Sequence, residues 1–323
     1  MASHRAQIAA LFMTTAVAMP ANADSHGMNG VDVNGEITLG FGQFDTPGGT
    51  QDQTYGAIAL DGTITIADGF GFGFDLFAVE DFESSDRRDY GYAYLFYSLG
   101  RGEFRAGIVP SAVDLIMPED SFTYGVLVES DLVAVAGSAV QFLALDEDEL
   151  VPTGVSYVAD YGALDVAASV HFARNSDDVI YALAGTYAIA DNPGGLSAYV
   201  SGGLEHVDSS TVSPDTQIWV GVGADVASFS LDALYTYTEN VVSIGDDGSF
   251  WDLSARYQIP SFDGLTMGID YSRLDAGPGD WILTGVGAEY RFDNGFGLSG
   301  SYFRQEVNGL AVDGAIIEAS FRF

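Results

Sequence analysis

The sequence predicts an all-β protein: a single closed antiparallel β-barrel of about 16 strands that crosses a membrane. Three observations carry that reading. Apolar and polar residues alternate with period two along nearly the whole chain, tight turns bearing Gly, Asn and Asp separate the alternating runs, and no stretch beyond the N-terminus stays apolar for the ~20 residues that a membrane-spanning helix needs.

The N-terminus is set aside first. Arg5 precedes a short apolar run from Ile8 to Met19, Pro20 ends it, and Ala21-Asn22-Ala23 puts small residues where a signal peptidase reads. Residues 1–23 are expected to be a secretory signal peptide, and residues 24–323 one domain, since no linker or shift of composition divides them.

Composition narrows the function. The chain carries 46 acidic residues against 11 basic ones, all arginine, which excludes nucleic acid as a partner because phosphate binding needs a basic patch. It is nonetheless 47% hydrophobic, with 21 Phe and 17 Tyr, so it is no disordered acidic tail. Acidic and apolar residues must be segregated in space. With no cysteine, thiol catalysis and thiolate metal sites are excluded.

The alternation shows how they are segregated. Leu164, Val166, Ala168, Val170 and Phe172 share one parity against Asp165, Ser169 and His171 on the other. The same division runs through Phe229–Thr238, Ser249–Ile259, Leu265–Ser272 and Ala311–Phe323. Successive side chains of a strand point to opposite faces, so each run has one greasy and one polar face. Runs are expected to begin near residues 31, 54, 70, 88, 102, 152, 163, 179, 196, 215, 228, 249, 264, 280, 296 and 311. That is an even number, as bacterial single-chain barrels have. A soluble β-sandwich or propeller would also alternate, but the length of the runs and the apolar outer parity favour the barrel.

Connections are expected to alternate as well. Short turns such as Ala67-Asp68-Gly69, Leu99 to Gly102, Asp160 to Ala163, Asp263-Gly264 and Asp293-Asn294-Gly295 supply positive φ. Longer acidic segments fall between them: Phe44–Thr54, Ser84–Asp89, Arg174–Asp178, Asp208–Asp215 and Glu239–Ser249. Short turns at one end and long loops at the other suit an outer-membrane barrel. Tyr257, Tyr290, Phe292, Phe296, Phe321 and Phe323 sit at strand ends on the apolar parity, where an interfacial aromatic girdle belongs.

One segment, Pro110–Val151, breaks the rhythm, and connections of that length are usually functional. Its run Val140–Leu145 reads as a further strand, but counting it would make the strand number odd, so it is assigned to the connection.

The chain ends on Phe323, after the alternating Ser320-Phe321-Arg322, and this resembles the assembly signal of outer-membrane proteins. Gly35 to Gly42 (GEITLGFG) is similar to the first strand of the general diffusion porins of Gram-negative bacteria, and Tyr157 to Leu164 to the tight turn after their sixth. In order and spacing, nearly all of the chain after residue 23 resembles this family, notably its alphaproteobacterial members. The resemblance implies a passive channel for small hydrophilic solutes and ions, located in the outer membrane and surrounded by its lipid. It also implies a homotrimer, handed to the barrel assembly machinery through Phe323. Pro110–Val151 would be the third loop, folded into the barrel, with Pro118–Phe122 near its tip.

Selectivity in such a channel comes from charges lining the narrowest point. The loop offers Asp114, Glu119, Asp120, Glu129 and Asp131, and the expected basic wall opposite is Arg87, Arg88, Arg105 and Arg256. With so many carboxylates a weak cation preference is expected. Catalysis is not expected: His26, His171 and His206 are the only histidines after residue 23, and no nucleophile motif accompanies them. No cofactor is implied, though Asp146–Glu149 and Asp246-Asp247 offer oxygen ligands for weak calcium binding. Two other readings stay open. One is a solute-specific porin with an aromatic track, for which Trp219, Phe250 and Tyr199 are candidates, and the other is a plugged or adhesive barrel.

Overall fold

A computed structural model describes residues 30–82, 87–117, 138–140, 152–173, 177–191, 195–208, 215–239, 247–276 and 279–323. The strands are β1 Val31–Thr46, β2 Gly49–Ala67, β3 Phe70–Asp81, β4 Arg87–Leu99, β5 Gly102–Ile108, β6 Thr153–Asp160, β7 Leu164–Phe172 and β8 Val179–Asp191. They continue with β9 Leu196–Asp208, β10 Asp215–Val226, β11 Phe229–Thr238, β12 Gly248–Gln258, β13 Leu265–Ala276, β14 Gly279–Arg291, β15 Phe296–Val307 and β16 Leu310–Arg322. Each pairs antiparallel with the next, and β16 pairs with β1, so the sheet is a closed 16-strand barrel with no free edge. No helix among the described residues is long and apolar enough to cross a membrane. Residues 1–23 and the run 141–145 lie outside the described residues.

The expected strand starts hold to within one residue, with one exception. Phe44–Thr54 is not a loop: β1 runs to Thr46, β2 begins at Gly49, and Thr46 Oγ1 closes the turn by donating to the Gly49 carbonyl at 2.8 Å and accepting from Gly48 N at 3.2 Å. The segment is polar because this hairpin continues past the apolar band, where its outward side chains pair with each other, as Gln43 Nε2 does with Asp52 Oδ1 at 2.9 Å. The strict alternation of short and long connections fails with it, for β13–β14 and β15–β16 are also joined by two residues at that end.

In the last of these hairpins Asn308 and Gly309 hold φ of 53° and 78°, the paired left-handed geometry that matches strand twist. Gly309 has no atom within contact range of an added Cβ, so Gly309→Ala should lose only the backbone term, about 1 kcal/mol. A small fall in melting temperature with unchanged channel conductance is the expected result, and a large fall would show a packing role.

The outer face is apolar. Leu231, Ile269 and Ile317 are 52%, 59% and 63% exposed, as lipid-facing side chains of a barrel must be. At the end where β16 meets β1, Tyr290, Phe292 and Phe296 pack ring against ring at 4.6 and 5.7 Å, and Phe321 stacks on Phe323 at 6.2 Å. Phe323 exchanges both backbone hydrogen bonds with Gly35 at 3.0 Å, and an added Gly35 Cβ would strike its ring. The segment that resembles the first porin strand and the C-terminal segment that resembles the assembly signal are thus neighbours across the closing seam.

The inner face is not uniformly polar. Tyr55, Phe96, Phe303 and Trp219 are buried on the inward parity, and each lies over an inward glycine of the adjacent strand: Gly40, Gly71, Gly314 and Gly203. A glycine has no Cβ to lift the ring, so the aromatic lies flat along the wall. From β6 to β9 many inward side chains are small instead, among them Ser156, Ala167, Ser169, Ala182, Ala184 and Ser201. That shallow wall leaves room for the chain that enters the barrel after β5.

Candidate functional site

After Ile108 the chain turns into the barrel. Val109, Ser111, Ala112 and Val113 are fully buried. His171 Nε2 donates to the Val109 carbonyl at 3.0 Å, and Ala112 N donates to Ser169 Oγ at 2.9 Å. Both wall groups lie on the inward parity of β7. The segment returns at Ser138–Val140, where Val140 packs with Tyr92 of β4 and Ile180 of β8. Residues 118–137 and 141–151 lie outside the described residues.

Two carboxylates join these stems. Glu205, on the inward parity of β9 and 2% exposed, accepts from Ser111 Oγ at 2.6 Å and from Ala139 N at 2.5 Å. Asp114 accepts from Ser138 Oγ at 2.7 Å, Ser111 N at 3.2 Å and Tyr92 Oη at 3.5 Å. Burial pushes the Asp114 carboxyl up to about 6, against the hydrogen bonds from Ser138, Ser111 and Tyr92, which hold it down.

The charged residues expected at a constriction are distributed as follows. Asp114 is in the entering stem and is engaged by Ser138 and Ser111 of the loop and by Tyr92 of β4. Glu119, Asp120, Glu129 and Asp131 lie outside the described residues. Arg105 is on the inward parity of β5, paired with Glu103 at 2.8 Å, its guanidinium 5.0 Å from the Tyr94 ring centroid. Arg256 is inward on β12, two residues before its end, and pairs with Asp232 at 3.1 Å. Arg87 and Arg88 open β4 in register with Glu80 and Val79, and their side chains are not described.

Further inward arginines follow the same rule of pairing. Arg322 and Arg291 both reach Glu36, at 2.7 and 3.3 Å, and Arg291 also pairs with Glu289. By register, inward carboxylates also include Asp61, Asp75, Asp81, Asp165, Asp252 and Asp270. The described wall is therefore net negative, and its inward arginines are already paired. Tyr199 lies over Gly223 and donates from its hydroxyl to Asp232 at 2.7 Å. Of the acidic segments considered for calcium, residues 146–149 and Asp246 lie outside the described residues, and Asp247 accepts from the Tyr237 hydroxyl at 3.3 Å. Among the described residues no group of three or more His, Cys, Asp or Glu is placed to hold a metal ion.

Glu205, Ser111, Ser138 and Tyr92 had no signal in the sequence as a group. Glu205 is one acid among 46, and only its parity, shared with Tyr199, Ser201 and Gly203, marks it as inward.

A closed 16-strand barrel with a chain segment folded inside and a charged inner wall is the architecture of a membrane channel. The chain belongs to the Gram-negative porin family, whose model matches residues 9–319. Solved structures of the same fold include a triple mutant of the Rhodopseudomonas blastica porin, at 17% identity and a TM-score of 0.63, and another substituted variant of the Rh. blastica porin, at 16% and 0.62. A third, described under asymmetric conductivity of engineered proteins, has 18% identity and a TM-score of 0.63. Each alignment covers 91% of this chain and 100% of the other. No curated protein matches the chain. As a Gram-negative porin it is a passive diffusion channel of the outer membrane and not an enzyme.

Proposed function

We propose that this porin is a general diffusion channel for small hydrophilic solutes with a weak preference for cations. The observation that carries the preference is the charge of the inner wall. Arg105, Arg256, Arg291 and Arg322 are each neutralised by a carboxylate within 3.3 Å, and inward carboxylates outnumber inward arginines on the described wall. Fixed negative charge around a water-filled path raises the local concentration of cations. The aromatic candidates for a solute-specific track favour the general reading. Trp219 and Phe250 are buried, so neither offers a free face for a solute to stack on.

The test is the reversal potential of single channels in a planar bilayer under a salt gradient. A cation-positive potential that shrinks with ionic strength is expected, since screening acts over about 10 Å at 0.1 M. Glu119→Gln with Asp120→Gln should reduce it, and an unchanged potential would remove the loop acids from the constriction. An inserted barrel with no conductance would favour a plugged barrel instead.

The finer properties of the assembly belong to the same reading: cleavage after Ala23, a homotrimer, and delivery to the assembly machinery through Phe323. The outward Ile58, Leu60, Ile64 and Ile66 of β2 offer a smooth surface for a neighbouring copy.

A further inference from the structure

We propose that Glu205 is the positioning residue that sets the channel aperture, by clipping both ends of the inward-folded segment to the wall at one point. The inference rests on the channel reading above.

Both stems are hydrogen-bonded to the wall. The entering stem is held to β7 twice, through His171 Nε2 to Val109 O and Ser169 Oγ to Ala112 N. The returning stem has a different set of contacts among the described residues. Ser138 reaches Asp114, which belongs to the entering stem, and Val140 packs against Tyr92 and Ile180. Ala139 N of this stem donates to Glu205 Oε1 on the wall, while the other oxygen of the same carboxylate takes the Ser111 hydroxyl. Asp114 therefore ties stem to stem and, through the Tyr92 hydroxyl, to β4, while Glu205 ties the joined stems to β9 with both of its oxygens.

The neighbourhood explains why one side chain can do this. Across β8 and β10 the register partners of Glu205 are Ala182 and Gln217, and the next inward residue on β9 is Gly203. The wall is low on the β8 side, and the long Glu205 side chain reaches the segment that lies over it. The clip is 2% exposed, so solvent cannot take over either bond when it is broken. A buried donor left without an acceptor costs more than the hydrogen bond itself contributed. The returning stem then exchanges between attached and detached positions, while His171 and Ser169 still hold the entering stem, and the lumen beside it changes width.

The chemistry provides a discriminating pair of variants. In Glu205→Gln the amide oxygen accepts from Ala139 N–H, and the amide NH2 donates to Ser111 Oγ, because a hydroxyl both donates and accepts. The charge is lost and the clip is kept. In Glu205→Ala both bonds go. The experiment is single-channel recording in KCl with each variant, alongside thermal melting of the folded barrel.

Glu205→Gln should match the wild type in conductance and open-channel noise. Glu205→Ala should show several-fold greater open-channel noise with resolved substates, while melting stays near that of the wild type because the ladders of β8–β10 are intact. Steady wild-type current from Glu205→Ala would overturn the proposal, as would Glu205→Gln as noisy as Glu205→Ala. Should Glu205→Ala fail to insert, Ser111→Ala breaks one of the two bonds, and a noise level equal to wild type in that variant overturns it too. A wild type that inserts without conducting would instead strike the channel reading itself.

Discussion

Gly154→Ala should lower the melting temperature of the barrel well below that of the wild type, whereas Gly40→Ala should melt near the wild type and conduct less. Both glycines face inward and both lie against bulky neighbours, but the neighbours differ in what can move. A Cβ on Gly154 would run into the Val170 carbonyl oxygen and come within 3.0 Å of the His171 Cα, which are main-chain atoms of the paired strand β7. Relief requires opening the β6–β7 ladder beside His171, whose ring holds the Val109 carbonyl of the entering stem. Overpacking of this kind costs about 1–3 kcal/mol, at the upper end where only backbone can yield.

On Gly40 the atoms nearest the Cβ all belong to the far end of the Tyr55 ring. That ring can tilt away from the wall, at the cost of the hydrogen bond from Tyr55 Oη to Glu318 Oε1 at 2.6 Å. It then stands in the lumen and narrows it. Thermal melting and single-channel conductance separate the outcomes. Equal melting temperatures for the two variants, or full conductance from Gly40→Ala, would refute the account of rings held flat by glycine.

Channel noise should fall as pH drops from 7.5 towards 5, and Asp114→Asn should remove that dependence. The Asp114 carboxyl is raised from its ordinary 3.8 to about 6, so the folded protein binds this proton more tightly than the unfolded chain does. Below 3.8 both states are protonated and the group contributes no pH dependence. Between 3.8 and 6 the folded state progressively loses its advantage, and above 6 the charged carboxylate exacts its full burial cost, at most about 3 kcal/mol. The penalty acts on the joined stems, because Asp114 is bonded to Ser111 and Ser138. Neutral Asp114 should therefore pack more steadily than the anion. Asparagine, never charged, should hold the low-pH behaviour throughout. The same pH slope in Asp114→Asn as in the wild type would assign the effect to other acids.

Much of this protein is legible in its sequence, for a local reason. Which face of a strand meets lipid is decided residue by residue through period-two alternation, so Leu231, Ile269 and Ile317 announce themselves as outward and Arg105, Arg256 and His171 as inward. Tight turns are likewise local. So is the ion pair Arg105–Glu103, two residues apart on one face of β5. The polar extension of β1 and β2 was harder, because beyond the membrane band the outward residues turn polar and the alternation loses its contrast.

The rest depended on tertiary structure. Arg256 meets Asp232 only because β11 and β12 share a particular register, and Glu36 meets Arg322 only because the barrel closes. Tyr55 finds Gly40, and Trp219 finds Gly203, across neighbouring strands whose stagger no local pattern states. Glu205 reaches Ser111 from 94 residues away, after the chain has left the wall and come back to it. Alternation determined the barrel and its two faces. Closure and register decided which inward charges neutralise each other and which hold the inner segment, because those pairings exist only once distant strands share one lumen.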